Sequence, residues 1–248
     1  MNSNLILREH LVNGGRIERH GDVYRLLVPP TKSDAYVDAQ LDDYAHGLPR
    51  QFANRPPQML KIKARFSHQA VMGTAGFGFW NHPFARDGAV IAPPCNVWFF
   101  YSSPHSNLQL SRGLPGSGFK ASVLNSGRMP SSVMAVGGRI LNILLKVPVV
   151  SSLLMTVAKF VVRANEVMLA VDMTEWHLYQ VDWLADSVRF TIDGRVVLQS
   201  RYSPNKAMGF AAWIDNYRAT AGSGHYAFAY VDVTEEQWMD IEIMNPDD

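Results

Sequence analysis

Apolar and polar positions alternate with a period of two along most of the chain. In residues 59–66, Leu60, Ile62, Ala64 and Phe66 fall on one side while Lys61, Lys63 and Arg65 fall on the other, the pattern of a half-buried antiparallel strand. Residues 24–28 form a shorter run closed by Pro29-Pro30, and residues 36–44 alternate next. Residues 76–81 and 96–101 are dense in aromatics and predict strands near the centre of a sheet. Residues 176–183 lead through Ala185-Asp186-Ser187 into residues 188–197, where Asp193-Gly194 between two β-rich runs predicts a hairpin. Residues 207–214, 226–233 and 237–244 supply further strands. So many short antiparallel strands predict an all-β sandwich or barrel.

One stretch departs from this period. Between Ser131 and Val171 the apolar spacing becomes helical, with Pro148 dividing it. Arg139, Asn142 and Lys146 line one narrow polar stripe, and Ser152, Thr156, Lys159, Arg163 and Glu166 line a second; nearly all the remaining circumference is apolar. This predicts an inserted apolar helical pair, about 132–170, wider in its apolar face than a surface helix needs. Such a pair must bury itself against the sandwich, a ligand, a second copy in a homodimer contact, or an anionic membrane surface. No uncharged apolar run reaches the ~20 residues that span a bilayer.

Composition narrows the class. The 248 residues are 47% hydrophobic with a single cysteine, Cys95. Disorder and a disulfide scaffold are thereby excluded, and one domain over 1–248, with the helical insertion at 131–171, is expected. The first ten residues carry charge and lack an apolar run of signal-peptide length, which predicts a cytoplasmic protein. Charge is uneven: from Gly88 to Asn165 there is no Asp or Glu, while Arg112, Lys120, Arg128, Arg139, Lys146, Lys159 and Arg163 make the stretch +7. With a total of +1, the rest of the chain is −6, so either an anionic partner or internal attraction between segments is implied.

Three places resemble the concanavalin A-like lectin and glucanase superfamily, in particular the family-sixteen glycoside hydrolases of laminarinase and lichenase type. Ala75-Gly76-Phe77-Gly78-Phe79-Trp80-Asn81 is similar to the strand that precedes the catalytic strand of those enzymes. Residues 176–183 with Asp186-Ser187-Val188-Arg189-Phe190 and Ile192-Asp193-Gly194 resemble their Trp-His-x-Tyr…Trp…Asp-Gly hairpin, and residues 237–243 resemble their last strand. The resemblance implies a jelly-roll sandwich of two curved antiparallel sheets with a sugar-binding cleft on the concave face. It also implies a Glu-x-Asp-x-x-Glu strand near residues 96–101, where this chain has Asn96, Trp98 and Tyr101 instead. Retaining hydrolysis needs two carboxyls about 5–5.5 Å apart. With no acid between Gly88 and Asn165, the expectation is a protein without retaining glycosidase activity.

The positive signal is aromatic. Trp80, Trp98, Phe100, Tyr101, Trp213 and Tyr217 lie on or near strands expected to cross the cleft, beside the polar Arg65, Asn81, His82, Asn96, Asp215 and Asn216. Flat rings with a few polar neighbours suit a sugar or a small apolar or amphiphilic molecule. The expected function is therefore non-catalytic ligand binding in the cleft. The alternatives are an enzyme acting on a hydrophobic substrate, or a divergent glycosidase whose acids are displaced to Asp42, Asp43 or Asp215. Scattered histidines and one cysteine give no signal for a metal or cofactor, and Asp38, Asp42 and Asp43 match no calcium loop. Gly76-Phe77-Gly78 is not a phosphate loop, and no nucleic-acid partner is expected. Cys95 reads as a buried apolar residue and His177 as structural.

Overall fold

The computed structural model describes residues 6–47, 49–83, 92–107, 113–126, 163–222 and 225–245. Strands are numbered in chain order. One sheet runs β1 (Arg8–Val12), β4 (Asp38–Asp42), β13 (Gly209–Asp215), β6 (Thr74–Trp80), β7 (Cys95–Ser102), β8 (Gly118–Asn125) and β9 (Arg163–Met168). The second runs β12 (Arg195–Ser200), β11 (Val188–Ile192), β10 (His177–Trp183), β5 (Gln58–Phe66), β16 (Gln237–Met244), β3 (Val23–Val28) and β2 (Arg16–His20). A separate hairpin joins β14 (Tyr217–Gly222) to β15 (His225–Tyr230). All these ladders are antiparallel, so the molecule is an all-β two-sheet sandwich that fits a jelly roll.

Alternation sorts the side chains. Along β7, Cys95, Val97, Phe99 and Tyr101 turn into the core between the sheets. There Phe99 meets Tyr179 at 5.0 Å and Phe190 at 5.2 Å, and Phe79 meets Trp183 at 5.2 Å. The indole N–H of Trp183 donates to the Pro204 carbonyl at 3.0 Å, which satisfies its one polar group inside the core. The opposite residues of β7, Asn96, Trp98 and Phe100, face outward. Tyr101 thus does not share the face of Asn96 and Trp98, as the motif resemblance would have it. Pairing of β7 with β6 and β8 runs unbroken from Asn96 to Ser102, and without a bulge the parity holds and places Phe100 there.

Asp193 and Gly194 form the expected two-residue hairpin, with φ of 50° and 76°. Asp193 accepts from Leu178 N and pairs with His177 Nδ1 at 2.7 Å, so His177 ties this hairpin to β10.

The expected helical pair needs correction at its C-terminal end. Residues 163–168 form β9, paired to the free edge of β8 as Asn165↔Val123 and Val167↔Ala121. Six residues fit either period, and the open edge of β8 supplies a ladder that an isolated helical turn lacks. Val167 packs against the core accordingly. The rest of the pair, 132–162, lies outside the described residues. Among the described residues no helix is long and apolar enough to cross a membrane.

Arg65 is also displaced from its expected place. It lies on the outer side of β5 in the second sheet, a sandwich thickness of roughly 10 Å or more from the first sheet's outer face. There it donates to Asp240, which a second arginine, Arg25, grips through both oxygens at 2.7 and 2.9 Å. The guanidinium of Arg65 lies 4.9 Å from the Trp176 ring and that of Arg25 4.1 Å from Trp238, a surface ladder complete in itself.

Candidate functional site

The outer face of the first sheet carries an aromatic row. Trp98, on the interior strand β7, lies 5.2 Å from Trp213, 5.3 Å from Phe100 in a stacked arrangement and 5.8 Å from Trp80. Trp80 stacks on His82 at 4.5 Å, which extends the row beyond the end of β6. Trp80, Trp98 and Phe100 are half-buried, and Trp213 is 8% exposed. Three neighbouring rings therefore retain open surface while their edges are packed.

Glycines make room for these rings. A Cβ on Gly76 would lie 2.3 Å from the Phe99 carbonyl oxygen and 3.1 Å from the Trp213 ring, and one on Gly209 would lie 2.2 Å from Tyr44. Gly78 sits at φ +149°, where an added Cβ would lie 2.4 Å from the Val97 oxygen. Two of the three indole N–H groups in the row are spent within the protein. Trp213 donates to Thr74 Oγ1 at 3.0 Å and Trp80 to Tyr44 Oη at 2.8 Å. Both rings are thus fixed in orientation before any ligand arrives.

At the β1 and β4 side the row meets a polar margin. Asp42 is fully buried and accepts from His46 Nε2 and Gln40 Nε2, each at 2.7 Å, and from Tyr44 N at 3.3 Å. The His46 ring stacks on His10 at 4.0 Å and meets His82 edge-on at 5.4 Å. Arg50 donates from Nη1 to the His82 carbonyl and from Nη2 to His82 Nε2, both at 3.2 Å. Because a guanidinium only donates, Nε2 of His82 must be the accepting nitrogen. Its Nδ1–H then donates to Tyr44 Oη, 3.1 Å away. Burial, with the Arg50 charge adding to it, pushes the His82 imidazole down to about 3, so the ring is neutral at ordinary pH. The backbone of His82 is left-handed, with φ 36°, at the turn that folds the ring back over Trp80. Burial and the nearby Asp42 charge together raise the Tyr44 phenol, which stays protonated.

The opposite end of the face holds a carboxyl pair. Asp38 and Asp215 are direct partners across β4 and β13, and are 3% and 5% exposed. Asp215 accepts from Thr74 N and Oγ1, Tyr217 N and the Tyr36 hydroxyl. Oδ1 of Asp38 has no hydrogen-bond partner. Burial raises both carboxyls, Asp215 to about 6, and the charge of Asp215 pushes Asp38 up further. On the far side of the row, Lys120 is buried with its ammonium donating to the Pro115 carbonyl, and burial lowers its pKa. Ser122 there donates to Glu166 at 3.3 Å.

Of the residues singled out by sequence, Trp80, His82, Trp98, Phe100 and Trp213 come together, with Asn96 beside Trp80 in the ladder. Asn96 is buried and its Oδ1 lacks a hydrogen-bond partner. Asn81 and Asn216 serve the scaffold instead. Asn81 bridges Pro93 O and Cys95 N, and Asn216 bridges Val37 N, Ala35 O and Val231 O. Asp215 anchors Thr74 and Tyr217, and Asp43 likewise holds Asn54 and Phe210 N. Cys95 is a core residue. His10, Tyr44, His46, Arg50 and Phe52, whose ring meets Tyr44 edge-on at 5.2 Å, are not singled out by sequence. Tyr44 and His46 lie in the segment Asp42-Asp43-Tyr44-Ala45-His46 at the end of a strand, which period-two alternation treats as strand end and loop, and His10, Arg50 and Phe52 carry no local signal.

No protein-family description matches the chain, and no curated protein matches it. Among solved structures, a GlcNAcα1-4Gal-releasing endo-β-galactosidase from Clostridium perfringens is similar at 11% identity and a TM-score of 0.49, over 94% of this chain. The chain covers 54%, about half, of that enzyme. A Bacillus licheniformis β-glucanase matches at 13% identity over 99% of this chain and 94% of its own, with a TM-score of 0.46. A laminarinase from Flavobacterium sp. UMI-01 matches at 8% identity over 99% and 95%, with a TM-score of 0.47. These structural neighbours are glycoside hydrolases of the kind the strand motifs resemble. At such identity they assign no role to any residue here.

Proposed function

We propose that the outer face of the first sheet binds a saccharide along the Trp80–Trp98–Phe100 row and does not hydrolyse it by the retaining route. The observation that carries this reading is the contiguous set of pre-oriented, half-buried rings centred on Trp98. The axial C–H faces of a pyranose are apolar and flat enough to lie on indole, and the saccharide hydroxyls stay directed to solvent and the polar margin. The acids on this face argue against hydrolysis. Asp38 and Asp42 are four residues apart on one strand, about 13 Å, beyond both retaining and inverting distances. Asp38 and Asp215 are neighbours, but they are enclosed and Asp215 is committed to backbone and side-chain donors.

A flat apolar molecule is the competing occupant. One observation favours a catalytic reading: His46 held by buried Asp42 at 2.7 Å is the arrangement that orients a proton-accepting imidazole. Calorimetric titration with β-glucan and uronate oligosaccharides, followed by mass spectrometry of the recovered ligand, tests both. Saccharide binding with intact ligand recovered is the expected result. Cleaved or otherwise altered saccharide whose formation depends on His46 would establish the catalytic reading, and failure of every saccharide to bind would overturn the proposal.

A further inference from the structure

Arg50 is a half-buried cation of this face with no counter-ion among the described residues. Its Nε is buried with no hydrogen-bond partner, and among the described residues its Nη groups donate to the carbonyl and the neutral ring of His82. No ion pair forms to it among the described residues. By contrast, Arg25, Arg65 and Arg189 are each paired with an aspartate. The nearest acids in sequence are already engaged, Asp42 by His46, Gln40 and Tyr44 N, and Asp43 by Asn54 and Phe210 N. Burial depresses the Arg50 pKa, and the opposing electrostatic contribution comes from Tyr44, not from a carboxylate. Taking a charge out of water without a partner is costly, so a site of this kind gains from an anion that supplies the missing partner.

The position of this cation relative to the row defines the anion. Arg50 bonds His82, His82 stacks on Trp80, and Trp80 neighbours Trp98. A guanidinium presents a planar fork that matches a carboxylate, and two of its five N–H groups are spent on His82. A phosphate monoester, with nearly two negative charges, would meet no second half-buried cation in this cluster. We propose that the occupant of the groove is an acidic saccharide, a uronic acid whose ring stacks on Trp80 and Trp98 while its carboxylate pairs with Arg50. This inference rests on the saccharide-binding reading and adds the charge and identity of the sugar.

The test compares a uronate oligosaccharide with the same oligosaccharide after its carboxyls are reduced to alcohols, titrated into the full-length protein by calorimetry. The uronate should bind at least tenfold more tightly, and its advantage should shrink as salt is raised. Arg50→Gln should remove that advantage, so that the uronate and the reduced oligosaccharide bind the variant equally, with Arg50→Lys intermediate. The comparison on unaltered protein stands even where a variant fails to fold. Equal binding of the two forms overturns the acidic assignment and leaves the saccharide groove standing. Failure of both forms to bind removes the groove reading itself, and the acidic assignment with it.

Discussion

Replacing Asp38 with Asn alters a carboxyl buried directly beside a second one. Its Oδ1 has no partner, its neighbour across the ladder is Asp215, and burial raises both groups. Asp215 alone, held at about 6 instead of the ordinary 3.8, represents roughly 3 kcal/mol of stability forgone once the pH is well above 6. The sign follows from proton uptake. A carboxyl whose folded pKa lies above its unfolded value contributes stability below the unfolded pKa, and that contribution disappears as pH rises through the folded one. Wild-type protein should therefore weaken between about pH 4 and pH 7 through this pair. An amide at position 38 carries no charge to meet that of Asp215, while the burial of Asp215 remains, so Asp38→Asn should gain about 1 kcal/mol at pH 8 and little at pH 4.5. Urea denaturation of both proteins across that range measures the difference, with other titrating groups common to each. Equal destabilisation of the variant at both pH values would refute the reasoning.

Two further substitutions probe the frame around the site. Gly78→Ala forces a Cβ to 2.4 Å from the Val97 oxygen at a positive φ, and should cost about 2 kcal/mol or more in thermal unfolding. Asp240→Asn leaves Arg25 and Arg65 sharing a neutral partner on the second sheet. Because both arginines are partly exposed, the loss should be about 1–2 kcal/mol by denaturant titration, with ligand binding unaffected.

The sheet strands were legible wherever alternation was strict. In residues 60–66 Lys61, Lys63 and Arg65 alternate with apolar residues, so the facing of each side chain followed directly, and β5 shows the expected split. The Asp193-Gly194 turn was legible because only a few residues accept its left-handed backbone. Arg8–Val12, Arg16–His20 and Gly118–Asn125 were not read as strands. The first two are short and largely exposed, and in the third the outward positions mix Lys120, Ser122 and Leu124 and so give no clean polar face. Within the site, the rings on β6, β7 and β13 were visible because aromatics on a central strand must point one way or the other. Which way was not fixed for Tyr101, since the family pattern assumes a bulge that β7 lacks between Asn96 and Ser102. Arg65 sits in the adjacent strand of the other sheet, and sheet assignment depends on long-range pairing that local pattern does not encode. The polar margin around His46 and Arg50 escaped for a related reason. Its members come from β1, the segment after β4 and the turn after β6, and only tertiary packing brings them together.

The central claim is that the row centred on Trp98 is a saccharide platform. Tryptophan fluorescence during titration with a uronate oligosaccharide tests it most directly, because Trp80, Trp98 and Trp213 sit together on the proposed surface. The account predicts a saturable change in the wild-type protein and a loss of affinity of at least tenfold in Trp98→Ala, with the variant's melting temperature close to wild type. Saturable binding of equal strength in the two proteins would contradict it.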